Sequence, residues 1–252
     1  MGNKVTTTLS FCITCKNRFE QIKKTLPRNL LDNREFKHLI EFVLVDFGSA
    51  DGLQDWIYEN FIDDIRSGYL KYYYTEEIVD WHASIAKNTT HLLASNEIIT
   101  NLDCDNYTGV NGGKFVIDKM TECGVHKTLL HQFSNDKDDG SYGRISFSRR
   151  NFLYIGGYDE SFEPMGYQDV DLIIRLLASG LKYMQICDNL YNKTIPNTKE
   201  EGLLNVKTKS NWIDMNYRNS QRSRKNIRLG KFIVNQDKNH IGIIDNLFVF
   251  DI

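Results

Sequence analysis

The sequence predicts an α/β domain with a mostly parallel central sheet flanked by helices. Three observations carry that expectation. Short apolar segments alternate with amphipathic ones through the first hundred residues. The apolar segments are continuous, as in "IEFVLVD", which marks strands buried on both faces. A chain of 252 residues is long enough for one α/β domain with a substantial core.

The elements follow in order. "TLSFCIT" (8–14) reads as the first strand. "RFEQIKKTLPRNLLDN" (18–33) reads as a helix, with a break expected near Pro27 because proline lacks the N–H that a helix interior uses. "IEFVLVD" (40–46) is the second strand. "SADGLQDWIYENFIDDI" (49–65) is a helix opened by Ser49 or Asp51 as its cap. "LKYYYTE" (70–76) is the third strand, "HASIAKNTTHLLAS" (82–95) the third helix and "EIITNLD" (97–103) the fourth strand.

Charge narrows the function classes. Lys and Arg number 31 and Asp and Glu 33, and the net charge of -2 gives no general attraction to nucleic acid. No apolar run approaches the roughly 20 residues of a membrane span. The N-terminal "MGNKVTTTLSFCITCKNRF" has no secretory apolar region, and Gly2 with Thr6 fits an acylation signal loosely. Five cysteines cannot all pair, so reduced thiols in a cytoplasm are expected. Cys12 and Cys15 are spaced for zinc or redox chemistry, but on a strand they point to opposite faces and read as core residues. Asn88, Asn106 and Asn192 head glycosylation sequons, which matter only in a secretory lumen.

Ligands of parallel sheets bind outside the carboxyl ends of the strands. Thr14 to Arg18, Asp46 to Ser49 and Asp103 to Asp105 all fall at such ends. Asp103 caps a turn readily. With Asp105 two residues on, it also offers two hard oxygen ligands for Mg2+ or Mn2+ shared with a diphosphate. Neither a G-x-x-x-x-G-K loop nor a G-x-G-x-x-G follows the first strand, which argues against a kinase-like NTPase or a dinucleotide dehydrogenase.

Four stretches, "FCITCKNR", "FVLVDFGSADG", "NLDCDN" and "GGYDESFEPMGYQDVDLIIRL", resemble in order the motifs of GT-A nucleotide-sugar glycosyltransferases. The large inverting family two is one relative, and the C-terminal half is similar to β-1,4-galactosyltransferases and chondroitin-polymerase-like enzymes. The resemblance covers roughly residues 8–182. It implies one GT-A, Rossmann-like domain. Residues 1–110 would be its nucleotide-binding half, 111–195 the acceptor and catalytic-base half, and 196–252 a basic extension packed on the same domain.

Position by position, the resemblance implies roles. Thr14, Lys16 and Arg18 would line the nucleotide. Asp46 would face the uracil, while Phe47 stands in place of a second acid. Lys87 and Asn88 would approach the donor. Asp103 would contact the ribose or the metal, and Asp105 would ligate the metal. Gly143, opening "GRISFSRRNF", would lie beside the donor sugar. Asp169 would be the catalytic base, an inverting transfer needing one carboxylate within reach of the acceptor hydroxyl. Gln168 replaces the usual Glu, and Asp171 would cap the helix ending at Gly180. Asn197, in "TIPNT", stands where relatives carry a metal-binding His and would be a weak third ligand, with His240 as the alternative.

The resulting expectation is an inverting transfer of a hexose (galactose, glucose or an N-acetylated form) from a UDP-sugar to a hydroxyl of a glycan or glycolipid. It would use Mn2+ or Mg2+ and act in the cytoplasm or at the inner membrane face. A metal-dependent nucleotidyltransferase or nucleotide-sugar hydrolase, and a non-catalytic binding relic, are the alternatives. Between Lys207 and Lys231 eight basic residues face one acid, Asp214. That segment reads as a solvated face, a basic lid over the diphosphate, or a peripheral membrane contact. Trp212 and Tyr217 are expected to pack it on the core, and Trp81 and His82 to line a sugar pocket.

Overall fold

Strand β1 (Leu9–Cys15) and strand β2 (Ile40–Asp46) are buried along their whole length, as their unbroken apolar sequences require. This is a computed structural model, and it describes residues 6–78, 80–133, 140–187, 190–191, 193–237, 241–243 and 247. Gly2, Asn192 and His240 lie outside the described residues. Strands β3 (Leu70–Tyr74) and β4 (Ile98–Asn101) complete a parallel unit with β1 and β2, and helices α1 (Phe19–Asn33), α2 (Leu53–Arg66) and α3 (Ala83–Leu93) make the crossovers.

The sheet then continues. Strand β5 (Thr128–Gln132) follows helix α4 (Gly112–Cys123), and β6 (Ile145–Ser148) pairs antiparallel with both β4 and β5. Helices α5 (Arg149–Ile155) and α6 (Gln168–Ala178) lead to β7 (Lys182–Ile186), which pairs parallel with β5. Among the described residues seven strands run in the order β3-β2-β1-β4-β6-β5-β7, one sheet with a single antiparallel strand. Helices α7 (Lys199–Leu203) and α8 (Trp212–Arg228) are the last helices among the described residues. No helix among the described residues is long and apolar enough to cross a membrane.

The order has a consequence for function. The chain winds outward from β1 through β2 to β3, then returns to place β4 on the other side of β1. Between β1 and β4 the winding direction reverses, and open parallel sheets bind ligands at such a point. Apolar side chains pack on both sides of the sheet. Phe11, Ile13 and Cys15 join one cluster with Ile22 and Leu26 of α1. Cys12 joins another with Ile99, Phe147 and Leu172. The C-x-x-C pair is therefore split across the sheet, as the strand reading requires, and all five cysteines are free thiols.

Two expected details differ. Helix α1 runs through Pro27 without a break. The carbonyl that Pro27 leaves without an N–H belongs to Lys23, an exposed residue on the outer side of the helix. Helix α2 begins after Gly52, which takes φ 87°, and no side chain caps it. Ser49 and Asp51 instead reach across to the neighbouring helix: Asn17 N–H donates to Ser49 Oγ (2.8 Å) and Phe19 N–H to Asp51 Oδ2 (2.9 Å). Asp51 thus satisfies an orphan donor of α1 and ties the end of β2 to the end of β1.

Candidate active site

Beyond the carboxyl ends of β1 and β4 lies a cavity of about 730 Å³. Every site residue expected from the motifs lines it except Asp46 and Asn88. Lys16 is anchored at the rim, its Nζ donating to the Phe47 carbonyl (2.6 Å) and the Ile78 carbonyl (3.0 Å), and burial lowers its pKa.

The acids are brought together from distant elements. Asp103 and Asp105 sit in the turn after β4, and Asp169 lies in the first turn of α6, where the helix dipole favours a negative charge. Lys87, from α3, donates to Asp169 Oδ1 at 2.8 Å, and its Nζ is 3.6 Å from Asp103 Oδ1. Burial works against the charge on this ammonium, but the two carboxylates outweigh it and hold the pKa up at about 12. The ammonium also lies over the Tyr158 ring, 5.5 Å from its centroid.

Gly143 fills the remaining gap. A Cβ on it would stand 2.7 Å from Asp103 Oδ2 and 3.3 Å from Asp169 Oδ2. Any side chain there would push against the two acids, so glycine is the residue that lets them share one space.

Asp105 is 5% exposed. Burial, with the neighbouring Asp103 charge, raises its pKa to about 6, against the pull of the Asn106 amide and Arg18. Asn106 Nδ2 donates to its Oδ1 at 2.7 Å, Arg18 stands 3.6 Å away, and Asn197 donates its amide to Oδ2. Asp103, Asp105 and the Asn197 amide are all hard oxygen-bearing groups. Among the described residues no group of three or more His, Cys, Asp and Glu side chains is placed to hold a metal ion by itself. Two carboxylates and an amide fit Mg2+ or Mn2+, which keep several waters and share phosphate oxygens rather than filling an all-protein cage.

Four residues are placed otherwise than expected. Asp46 is fully buried and away from the cavity, with Oδ1 accepting from Ser49 N–H (2.9 Å) and Oδ2 from the Tyr72 hydroxyl (2.9 Å). Asn88 is also fully buried and serves the core, donating to the Tyr158 carbonyl and to Glu160 and accepting from Tyr158 N–H. Asp171 does not cap α6, which starts earlier, at Gln168; it forms a buried pair with Arg175 (2.7 Å). Trp81 lines the cavity, but His82 Nε2 sits against the Phe162 carbonyl, outside the lining.

The far wall of the cavity was not legible from the motifs. Glu201 of α7 and Trp212 and Asn216 of α8 line it, while Tyr217 is 62% exposed rather than packed on the core. Asn205 docks this wall onto β1, donating to the Lys16 carbonyl (2.9 Å) and accepting from Asn17 (2.7 Å). One sequence signal for it exists. Thr198 and Glu201 form a capping box at the start of α7, the T-x-x-E spacing that marks a helix start.

No family model matches the chain, and no curated protein is significantly similar to it in sequence. Solved structures are similar. The mannosyltransferase PcManGT from Pyrobaculum calidifontis, in complex with GDP-Man and Mn2+, has a TM-score of 0.65 and 15% identity over 87% of this chain and 64% of that one. S. aureus TarS 1-349 in complex with UDP has a TM-score of 0.61 and 14% identity over 90% of this chain and 74% of that one. GalNAc-T7 with UDP, GalNAc and Mn2+ has a TM-score of 0.58 and 14% identity over 71% of this chain and 42% of that one. This chain spans less than two thirds of the mannosyltransferase's length. At such identities the likeness is one of architecture, and it establishes that the chain has the GT-A fold of nucleotide-sugar glycosyltransferases.

Proposed function

We propose that the chain transfers a hexose from a UDP-sugar to a hydroxyl of a glycan or glycolipid, with inversion at the anomeric carbon. One observation carries this: Lys87, Asp103, Gly143 and Asp169, far apart in sequence, meet in one cavity at the reversal point of the sheet. The neighbours' ligands, UDP in two cases and GDP-Man in one, support a nucleotide-sugar donor.

The roles divide by chemistry. Asp103 and Asp105, with Asn197 beside them, would hold Mn2+ or Mg2+. Such a cation, when bound, neutralises charge that builds on a diphosphate leaving group. Arg18 adds a positive group on the same side. Asp169 takes the proton of the acceptor hydroxyl as its oxygen attacks the anomeric carbon. The bond to the diphosphate breaks, and its electron pair leaves on the phosphate oxygen. Lys87 occupies Asp169 Oδ1, so Oδ2, beside Gly143, is the oxygen that receives the proton. The free thiols, with Cys12 and Cys15 buried, support a reducing compartment such as the cytoplasm.

The test is calorimetric titration with UDP, with Mn2+ and with a chelator, on the wild type and on Asp105→Asn. Wild-type affinity should depend on Mn2+, and the variant should lose that dependence while keeping its fold. Metal-independent UDP binding would remove Asp105 from the metal role. Turnover of nucleoside triphosphates with release of pyrophosphate would favour a nucleotidyltransferase instead.

A further inference from the structure

Helix α8 turns Met215, Asn219, Ser220 and Ser223 inward and packs on α6. Its other face is left to solvent, and it is neither uniformly polar nor balanced in charge. We propose that this face docks on an anionic lipid surface and so holds the cavity mouth toward a membrane-borne acceptor. The docking stands on the surface itself; the acceptor clause rests on the proposed transfer.

Ile213 is 71% exposed and Tyr217 is 62% exposed, four residues apart on one stripe. Arg224 and Arg228 continue that stripe, with Lys225 beside it. Not all basic residues of α8 are free to act outward. Arg218 is held by Glu163, its Nη2 donating to Oε2 at 2.8 Å, and Arg222 donates to the Ser161 carbonyl. Arg224, Lys225 and Arg228 enter no ion pair among the described residues. Lys207, Lys209 and Lys231 flank the helix and are exposed. The chain as a whole carries a net charge of -2, so this face concentrates positive charge against the average.

Charge complementarity selects an anionic partner, and the apolar residues select among anionic partners. A polyanion in solution would engage the arginines and leave Ile213 and Tyr217 in water. A headgroup interface accepts both, since an amphipathic basic helix lies in its plane with apolar side chains at the acyl boundary. The placement also has a use. Trp212 and Asn216 of this same helix line the cavity, so the apolar end of the stripe is the end beside the cavity.

The test is co-sedimentation of the full chain with phosphatidylcholine vesicles, with and without phosphatidylglycerol, at low and high salt. Binding should require phosphatidylglycerol and weaken with salt. The triple variant Arg224→Glu/Lys225→Glu/Arg228→Glu should bind about tenfold less tightly or worse, from the loss of attraction per basic residue at an anionic leaflet. Ile213→Ser/Tyr217→Ser should lose the binding that survives high salt. Circular dichroism and UDP affinity should be unchanged in both variants. Equal binding to neutral vesicles, or undiminished binding by the triple variant, would overturn the proposal. So would binding that soluble polyphosphate abolishes while Ile213→Ser/Tyr217→Ser leaves it intact. UDP affinity is read separately, so a wild type that binds vesicles but not UDP would retain the docking and refute the transfer.

Discussion

Lys87 and Asp169 lie 82 residues apart in sequence and 2.8 Å apart in space, and the same ammonium stands 3.6 Å from Asp103. One cation therefore spans the acid assigned to the metal side and the acid assigned to the proton. It fixes their separation before any ligand arrives, which is the preorganisation that polar catalysis depends on. Lys87 is nearly buried and rests on the Tyr158 ring, so the clamp is itself held in place.

Replacing Lys87 by Met leaves the two acids without their shared counter-charge. Turnover should fall by roughly 10²-fold, the scale of a misplaced reacting group, while Lys87→Arg should restore part of it. Separate measurement of kcat and KM, with the unfolding temperature as control, reads the effect. A Lys87→Met protein with ordinary turnover would remove the clamp from the mechanism.

Gly143→Ala tests the gap between the acids. The added methyl would fall 2.7 Å from Asp103 Oδ2, and the side chain of Asp103 must give way. Mn2+-dependent UDP affinity should drop, and turnover should fall by roughly 10²-fold. The fold should survive, because the residue takes no left-handed conformation. Unaltered UDP affinity and turnover would show that Asp103 needs no such space.

His91 sets a pH limit on stability rather than on chemistry. It is fully buried, stacks on Phe152 with ring centroids 5.2 Å apart, and donates Nδ1–H to the Lys87 carbonyl at 2.6 Å. Burial lowers its pKa to about 3, with the Lys87 charge acting the same way and the hydrogen bond and Asp103 opposing. The unfolded chain protonates this ring near pH 6.5, the native chain only near 3, so U binds more protons between those values and stability falls as pH drops through them. The loss at pH 5 relative to pH 7 is about 2 kcal/mol. Urea unfolding at the two pH values should show His91→Phe losing less by about that amount. An identical loss in both proteins would contradict the assignment.

The sequence announced part of this arrangement and hid the rest for physical reasons. Strand β2 is read to the residue, because "IEFVLVD" is apolar throughout and buried on both faces. Cys12 and Cys15 fall on opposite sides of the sheet because strand periodicity leaves no choice. Asp103, Asp105, Lys87, Gly143 and Asp169 do converge, because the order of the motifs encodes the order of the strand ends. What the motifs miss is settled by hydrogen-bond partners that only the folded chain reveals. Asp51 caps α1 rather than its own helix, since only the fold brings Phe19 within reach. Asp46 and Asn88 are polar residues at promising positions whose hydrogen bonds are taken up by Tyr72 and Tyr158 inside the core. Asp171 reads as a cap until α6 is seen to start at Gln168, which makes it a partner for Arg175 one turn on. Asn106 is 1% exposed, its amide given to Asp105, so burial opposes a glycan there.

The central claim is that Asp169 takes the acceptor's proton while the donor is held elsewhere in the cavity. The most direct measurement is the turnover of a UDP-hexose panel by Asp169→Asn beside calorimetric UDP affinity in the presence of Mn2+. The account predicts that affinity stays at the wild-type value while turnover falls by roughly 10²-fold or more, the range of general base catalysis. Near-normal turnover, or a loss of UDP affinity that matches the loss of rate, would contradict it.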